Sequence, residues 1–319
     1  MPLGYLFGGG VGTEPHGIEL YEGFPAVRRL YGQISEWTGL GAEQILNGEL
    51  PGGQEQRQSA GSIREAALAL SVHDLLAEAG LRPSAIGGLS LGALTAGALA
   101  GALERRAFFG ALAHAANAPG PGPGDPEQGM ALAFVPVDTT PLDHPWHGLV
   151  DVYFAGDFGP MADGSRRILM LAGHREALDR VAAGAPPGGV VVLPGRTIAV
   201  HSPLRAAFRD FMAPHVAALP FTAPALPLLS CLERGVLTTA AEVRDLFQRN
   251  PVEPISLVDV CEGMRDEGVR LALVMGPAIP EGLLDFPFPV VHVEKPEHIR
   301  LAVETAYELG IDFSGARSG

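Results

Sequence analysis

Short apolar segments alternate along the chain with longer segments in which apolar residues recur every three or four positions. A continuous apolar run of four to eight residues is typical of a buried strand, whereas the wider spacing is typical of an amphipathic helix. On this basis the sequence predicts strands over residues 3–7, 85–88, 130–137, 167–171, 190–193, 227–231, 271–275 and 290–293. It predicts helices over residues 62–79, 93–103, 175–183, 204–219, 240–249, 255–266 and 297–309.

Strands that alternate with helices of this length favour a largely parallel sheet covered by helices on both faces. The alternation is interrupted at the segment NAPGPGPGDP, residues 117–126, whose composition predicts an exposed loop or linker. After it, three predicted strands accompany a single predicted helix. We therefore expect a small α+β subdomain inserted into a larger α/β domain.

The local sequence Gly88-Leu89-Ser90-Leu91-Gly92 has the form G-x-S-x-G and lies between a predicted strand and a predicted helix. In this context the flanking glycines permit a tight turn that exposes the serine hydroxyl at the edge of a sheet. Ser90 is therefore a candidate nucleophile. The alternative interpretation is a glycine-rich turn in which the serine is incidental.

A serine hydroxyl is a weak nucleophile unless a base lies within hydrogen-bonding distance, and histidine is the usual base near neutral pH. Among ten histidines, His201 lies where an apolar segment, predicted as a strand over residues 198–200, is ended by Pro203 just before a helix. The ends of strands commonly display catalytic side chains. His201 is therefore the candidate base.

These segments resemble the motifs of the malonyl-CoA:acyl-carrier-protein transacylase family. The sequence GLSLGALTA at residues 88–96 is similar to its serine motif, and VHSPL at residues 200–204 is similar to its histidine motif. FGGGVG at residues 7–12 resembles the opening loop FPGQGS of the family, AGHREALD at residues 172–179 resembles a segment of its inner subdomain, and NPV at residues 250–252 matches a late NPV. The resemblance extends over nearly the whole chain.

The resemblance implies a fold and a mechanism. We expect an α/β-hydrolase-like large domain with a parallel sheet, residues 1–125 and 197–319, and an inserted ferredoxin-like small domain, residues 126–196. Ser90 would attack a thioester carbonyl, and His201 would take and return the proton. The remaining implied groups belong to the main chain: N–H groups of Gly10 and Leu91 that bind the oxyanion, and carbonyl groups of Asn250 and Glu253 that orient the imidazole.

One departure from the family bears on the acyl group. Malonyl-specific members carry an arginine after the serine motif, because a guanidinium fork suits a free carboxylate. Counting without gaps places that position at Ala115, beside His114, whereas Arg105 and Arg106 lie more than two helical turns earlier. We therefore expect an unsubstituted acyl group and not malonyl, in a pocket whose candidate residues are Gly9, Leu89, His114 and Ala115.

Composition and charge exclude several classes of function. A net charge of −14 opposes binding to a phosphate backbone, so we expect no nucleic-acid partner. No apolar stretch approaches the length of a membrane span. The two cysteines, Cys231 and Cys261, have no metal-binding or redox spacing and fit a reducing compartment, which predicts a cytoplasmic protein. We expect a monomer with no metal and no bound cofactor.

The predicted function is transfer of an acyl group from an acyl-CoA or acyl-carrier protein to the phosphopantetheine thiol of an acyl carrier protein, by analogy in polyketide biosynthesis. Arg205 and Arg209, one turn apart, are candidates for binding that phosphate or an acidic carrier, and the alternative is a solvated helix face.

Three other functions stay open. The main one is an acyl-carrier-protein hydrolase, an editing thioesterase on the same scaffold in which water resolves the acyl-serine. A catalytically inactive carrier-binding module is a second, because Gly10 and Ala93 replace a family glutamine and glutamate. An ordinary esterase that uses His292 or His298 is the third.

Overall fold

The computed structural model describes residues 2–10, 16–47, 52–122, 124–141 and 143–311. Its strands are β1 (Leu3–Phe7), β2 (Ala85–Gly88), β3 (Gln128–Pro136), β4 (Val152–Pro160), β5 (Arg166–His174), β6 (Val190–Val192), β7 (Leu228–Leu229), β8 (Val236–Leu237), β9 (Ile255–Ser256), β10 (Leu271–Met275) and β11 (Val290–Val293). Its helices are α1 (Ile18–Gly23), α2 (Pro25–Thr38), α3 (Ala42–Leu46), α4 (Gln54–Glu78), α5 (Leu91–Leu99), α6 (Arg105–His114), α7 (Arg175–Gly184), α8 (Ala206–Ala218), α9 (Ala240–Arg249), α10 (Leu257–Asp266) and α11 (Pro296–Glu308).

The larger sheet has six strands in the order β11-β10-β1-β2-β7-β8, and all neighbours are parallel except β7 and β8. Every residue of β1, β2 and β10 is buried. Continuous burial is what a parallel sheet covered by helices requires, and α4, α5, α10 and α11 contact this sheet. The predicted α/β fold class with a parallel sheet is confirmed.

The smaller sheet has five strands in the order β6-β3-β5-β4-β9. Its first four strands are antiparallel and come from one continuous segment, with α7 packed on β3, β5 and β6. The fifth strand, β9, pairs in parallel with β4 and comes from a much later part of the chain. In addition, the N–H of Ser256 donates to the carbonyl of Cys231, just after β7, so β9 connects the two sheets.

Several elements differ from the sequence-based expectations. The prediction omitted β4 because its pairing with β5 shifts register twice, next to Gly156 and Gly159, and these irregularities disrupt the alternation of apolar residues. It also omitted the first three helices, α6 and β8. Ile255 and Ser256 were predicted as the first residues of a helix but form β9, and the Ser256 hydroxyl then caps α10 by accepting from the N–H of Asp259 at 3.0 Å.

The segment before the candidate histidine was predicted as a strand, and this is wrong. Residues 198–200 form no strand, and the chain turns at His201, whose φ is 58°. The N–H of His201 instead donates to the carbonyl of Pro251 at 2.9 Å. A short 3-10 turn, Pro203–Arg205, then leads into α8.

Some residues of the segments discussed above are not described by the structure. Val11 and Gly12 of the opening glycine loop, Pro123 of the expected linker and residues 312–319 lie outside the described residues. Within the described ranges, none of the helices combines the length and the apolar character needed to cross a bilayer.

Candidate active site

Ser90 lies in a sharp turn between β2 and α5. Its φ of 53° and ψ of −120° are sterically unfavourable for a residue with a side chain, and such values persist only where neighbouring structure enforces them. Strand, turn and helix follow one another within seven residues. This is the arrangement in which a serine hydroxyl projects from the edge of a sheet.

Glycines allow the backbone of the Ser90 turn to pack directly against the backbone of β1. A Cβ atom at Gly92 would lie 2.4 Å from the carbonyl oxygens of both Phe7 and Gly8, and a Cβ at Gly88 would lie 2.5 Å from the carbonyl carbon of Gly92. A Cβ at Gly9 would lie 2.6 Å from the carbonyl oxygen of Leu89. The glycines on both sides therefore bring the opening loop directly against the serine turn.

The side chain of His201 joins Ser90 to a main-chain carbonyl. Its Nε2 lies 2.8 Å from the Oγ of Ser90, and its Nδ1 lies 2.7 Å from the carbonyl oxygen of Asn250. A carbonyl oxygen accepts only, so Nδ1 carries the proton and donates it. Nε2 is then the acceptor for the Ser90 hydroxyl, which is the orientation that a general base needs.

Burial keeps the imidazole of His201 neutral. The side chain is enclosed, and this burial lowers the pKa of His201 from 6.5 to about 4, although the carbonyl groups of Asn250 and Glu253 act in the opposite direction. The Glu253 carboxylate is bound instead by the guanidinium of Arg249 at 2.8 Å. Main-chain oxygens, and not a carboxylate, therefore orient the imidazole.

The two main-chain donors expected for an oxyanion lie beside Ser90. Leu91 is the first residue of α5, where the N–H has no acceptor within the helix and the helix dipole favours negative charge. Gly10 has a φ of 113° and open space around its Cα. Both residues line the same cleft as Ser90 and His201. Donors placed at such a position can stabilise a developing alkoxide.

Two cavities meet at Ser90 and His201. The larger is a cleft of about 640 Å³ between the sheets, with Met130, Leu132 and Phe158 of the small sheet on one side. The smaller is a pocket of about 130 Å³ that is lined by residues of α4, α5, α6 and α8 and is mostly apolar. Both cavities therefore open onto the Ser90 hydroxyl and the His201 imidazole.

The four predicted pocket residues divide between these cavities. Gly9 and Leu89 line the large cleft, and Ala115, which begins a 3-10 turn after α6, lines the inner pocket. His114 is not among the residues that line either cavity. Its ring stacks on His215, with ring centroids 4.1 Å apart, and so packs against α8.

Arg205 and Arg209, the candidates for binding a phosphate or a carrier protein, lie in different environments. Arg205 is buried, and its guanidinium is held by the Glu55 carboxylate through bonds of 2.6 and 2.9 Å. Arg209 is exposed and pairs with its neighbour Asp210 at 2.7 Å, away from both cavities.

Sequence reasoning overlooked several polar residues of the site. Arg57 and Arg196 line the large cleft, and Glu55 lines the inner pocket. No motif surrounds them, and Glu55 and Arg57 precede the predicted start of their helix. Within the described part of the chain, no group of three or more His, Cys, Asp or Glu side chains is placed to hold a metal ion.

Solved structures share this architecture over almost the whole chain. An acyl-carrier-protein S-malonyltransferase from Burkholderia pseudomallei superposes with a TM-score of 0.79 at 20% identity, covering 95% of this chain and 100% of the other. A malonyl transacylase solved in complex with a type II polyketide-synthase acyl-carrier protein superposes with a TM-score of 0.78 at 19% identity, covering 96% and 100%. The chain has the fold of the malonyl-CoA:acyl-carrier-protein transacylases.

Sequence similarity to a characterised protein covers a smaller part of the chain than structural similarity does. The malonyl-CoA:acyl-carrier-protein transacylase of Salmonella typhimurium is 28% identical over 112 residues. This alignment covers 34% of the chain and 36% of that relative, about a third of its length. No protein-family model matches the chain.

Proposed function

We propose that the protein is a serine acyltransferase that moves an acyl group from an acyl-CoA or acyl-carrier protein to the phosphopantetheine thiol of a carrier protein. The observation that carries the proposal is the continuous hydrogen-bonded chain from the Ser90 hydroxyl through His201 to the Asn250 carbonyl. The fold it shares with a transacylase solved together with an acyl-carrier protein supports the choice of acceptor.

The reaction proceeds in two matched halves. His201 Nε2 takes the proton of the Ser90 hydroxyl as the oxygen attacks the thioester carbonyl, and the N–H groups of Gly10 and Leu91 bind the oxyanion. The carbon–sulfur bond then breaks, and His201 returns the proton to the departing sulfur, so that the donor leaves as a free thiol. In the second half the carrier thiol gives its proton to His201, attacks the acyl-serine and releases the Ser90 hydroxyl.

The setting of this activity is part of the proposal. The protein acts as a cytoplasmic monomer in polyketide biosynthesis, without a metal or bound cofactor, and its acyl group is not malonyl. The large domain comprises residues 1–125 and 197–319 and the small domain residues 126–196. Ala115 in place of an arginine, beside a mostly apolar pocket, supports the choice of an uncharged acyl group.

Intact-protein mass spectrometry tests the proposal directly. The protein is mixed with a panel of acyl-CoAs and acyl-carrier proteins, with and without a holo acceptor carrier, and the masses of enzyme and carriers are followed. We expect an acyl adduct that is lost when the acceptor gains the same mass, and a Ser90→Ala variant that forms no adduct.

Other results of this experiment would indicate a different function or a different nucleophile. Donor deacylation without transfer to the acceptor would identify an editing hydrolase. A folded protein that forms no adduct with any donor and releases no thiol would leave a carrier-binding module as the function. Normal acylation of Ser90→Ala would place the nucleophile at another residue.

A further inference from the structure

The inner pocket has the volume of a short aliphatic chain. Its volume of about 130 Å³ is close to that of an engineered apolar cavity of about 150 Å³ that binds benzene, a group of six carbons. Its apolar lining includes Leu94 on α5, Phe108 on α6 and Met212 on α8. A chain of about four to six carbons would fill this space.

An arginine and a glutamate also line this pocket. Arg205 Nη1 lies 2.6 Å from Glu55 Oε1, and Arg205 Nη2 lies 2.9 Å from Glu55 Oε2. The two side chains are 9% and 4% exposed, and the guanidinium stacks on the ring of Phe208 at 4.0 Å. The pair is therefore buried, two-pronged and fixed in orientation.

This geometry is the one that a substrate carboxylate would otherwise adopt. A guanidinium fork binds a carboxylate through two parallel bonds, and Glu55 occupies that fork. Among the described residues that line the inner pocket, Arg205 is the one arginine or lysine. Glu55 neutralises its charge. A substrate carboxylate would meet an occupied fork and a second negative charge, and burying it unpaired is strongly unfavourable.

The buried Nε of Arg205 adds an independent observation. Within the described part of the chain this N–H has no hydrogen-bond partner, although buried polar atoms are normally satisfied. Glu55 thus satisfies the Nη1 and Nη2 edge of the guanidinium but not its Nε–H. Glu55 therefore does not use all the donors of Arg205, and removal of the Glu55 charge would leave a guanidinium able to bind a substrate carboxylate.

We propose that Glu55 determines the acyl specificity of this site. Glu55 pairs with the guanidinium of Arg205 and neutralises the positive charge that a substrate carboxylate would need. The pocket therefore accepts uncharged acyl chains of about four to six carbons and excludes acyl groups that end in a carboxylate. This inference rests on the proposed acyltransfer through Ser90.

The test compares acylation by malonyl-CoA and hexanoyl-CoA in the wild type and in Glu55→Gln. In the wild type we expect butyryl-CoA and hexanoyl-CoA to acylate Ser90 faster than acetyl-, octanoyl- or malonyl-CoA. In Glu55→Gln the freed guanidinium should raise the ratio of malonyl to hexanoyl acylation by about tenfold to a hundredfold, the range for a charge-assisted bond. Rates are read from adduct formation by intact-protein mass spectrometry.

Two control variants separate specificity from stability. The double variant Glu55→Gln, Arg205→Met removes both charges and should return to hexanoyl selectivity. Asp74→Asn removes a comparable two-pronged pair on the same helix, with Arg105 at 2.7 and 2.6 Å, but lies outside both cavities. It should leave the ratio unchanged.

A second measurement covers the case in which Glu55→Gln is poorly stable, since an unpaired buried guanidinium is destabilising. Sodium malonate should raise the melting temperature of Glu55→Gln more than sodium chloride of equal ionic strength does, and it should have no such effect on the wild type. An equal response in both salts would overturn the proposal.

The outcomes also distinguish this inference from the proposed function. If no thioester acylates the wild type, the acyltransferase assignment fails and the inference fails with it. If hexanoyl-CoA acylates Ser90 but malonyl-CoA does so equally well, or if Glu55→Gln leaves the ratio unchanged, the acyltransferase assignment stands and the role of Glu55 is refuted.

Discussion

Ser90 and His201 share an uncommon backbone conformation, with φ values of 53° and 58°, but different parts of the molecule support them. The Ser90 turn is held by its own strand and helix and by the adjoining β1. The His201 turn is held by Asn250 and Pro251, about fifty residues later in the chain. The conformation at Ser90 therefore depends mainly on local sequence, whereas the orientation of the His201 imidazole depends on the assembled fold.

The largest expected effect is on the free energy of unfolding, when a glycine of the serine turn is replaced. Gly92→Ala places a Cβ 2.4 Å from two carbonyl oxygens, and we expect it to lower the free energy of unfolding by about 1–3 kcal/mol. Gly97→Ala, on the same helix, meets its nearest atom at 3.4 Å and should be neutral or stabilising, because alanine favours a helix over glycine. Urea unfolding of both variants measures the difference, and equal stabilities would show that close packing on β1 does not hold the turn.

The buried environment of His201 predicts an unusual pH dependence. The imidazole acts as a base only when neutral, and a pKa of about 4 keeps it neutral above that pH. The second-order rate of acylation should therefore stay nearly constant from about pH 7.5 to 5.5 and decline below, whereas an ordinary histidine would cause a loss of about tenfold at pH 5.5. Rates of adduct formation across this range decide between the two, with circular dichroism confirming the fold at each pH.

The smallest expected effect concerns the Glu253 carboxylate. Glu253 contributes a main-chain carbonyl to the surroundings of His201, while its side chain binds Arg249. Glu253→Ala should change the acylation rate by less than about twofold, as loss of a partly exposed ion pair has little effect. Asp245→Ala, which removes another partner of Arg249, is the matched control. A loss approaching 10⁴-fold would instead show that Glu253 acts as the acidic member of a triad.

The elements that the sequence predicted well are those with complete local signals. The bounds of β10, β11 and α9 agree with the predicted ranges. In α9 the start is marked by Thr239, whose hydroxyl accepts from the N–H of Glu242 while the Glu242 carboxylate accepts from the N–H of Thr239. The fold class followed from the alternation of such elements.

The features that the sequence did not predict depend on distant contacts. The conformation at residues 198–200 is set by the bond from His201 to Pro251, so an apolar run there does not become a strand. Arg205 looked like one of two exposed arginines on a helix, but its partner Glu55 lies 150 positions earlier. A pairing at that separation leaves no periodic signal, and only the folded chain reveals it.

The short strand β9 connects the segment that orients His201 to the small sheet. It begins two residues after Glu253 and hydrogen-bonds to β4 on one side, while the Ser256 N–H binds the Cys231 carbonyl on the other. Any displacement of the small sheet would therefore be transmitted to the segment that orients His201. The small sheet and the main chain that orients the imidazole are thus joined through the two residues of β9.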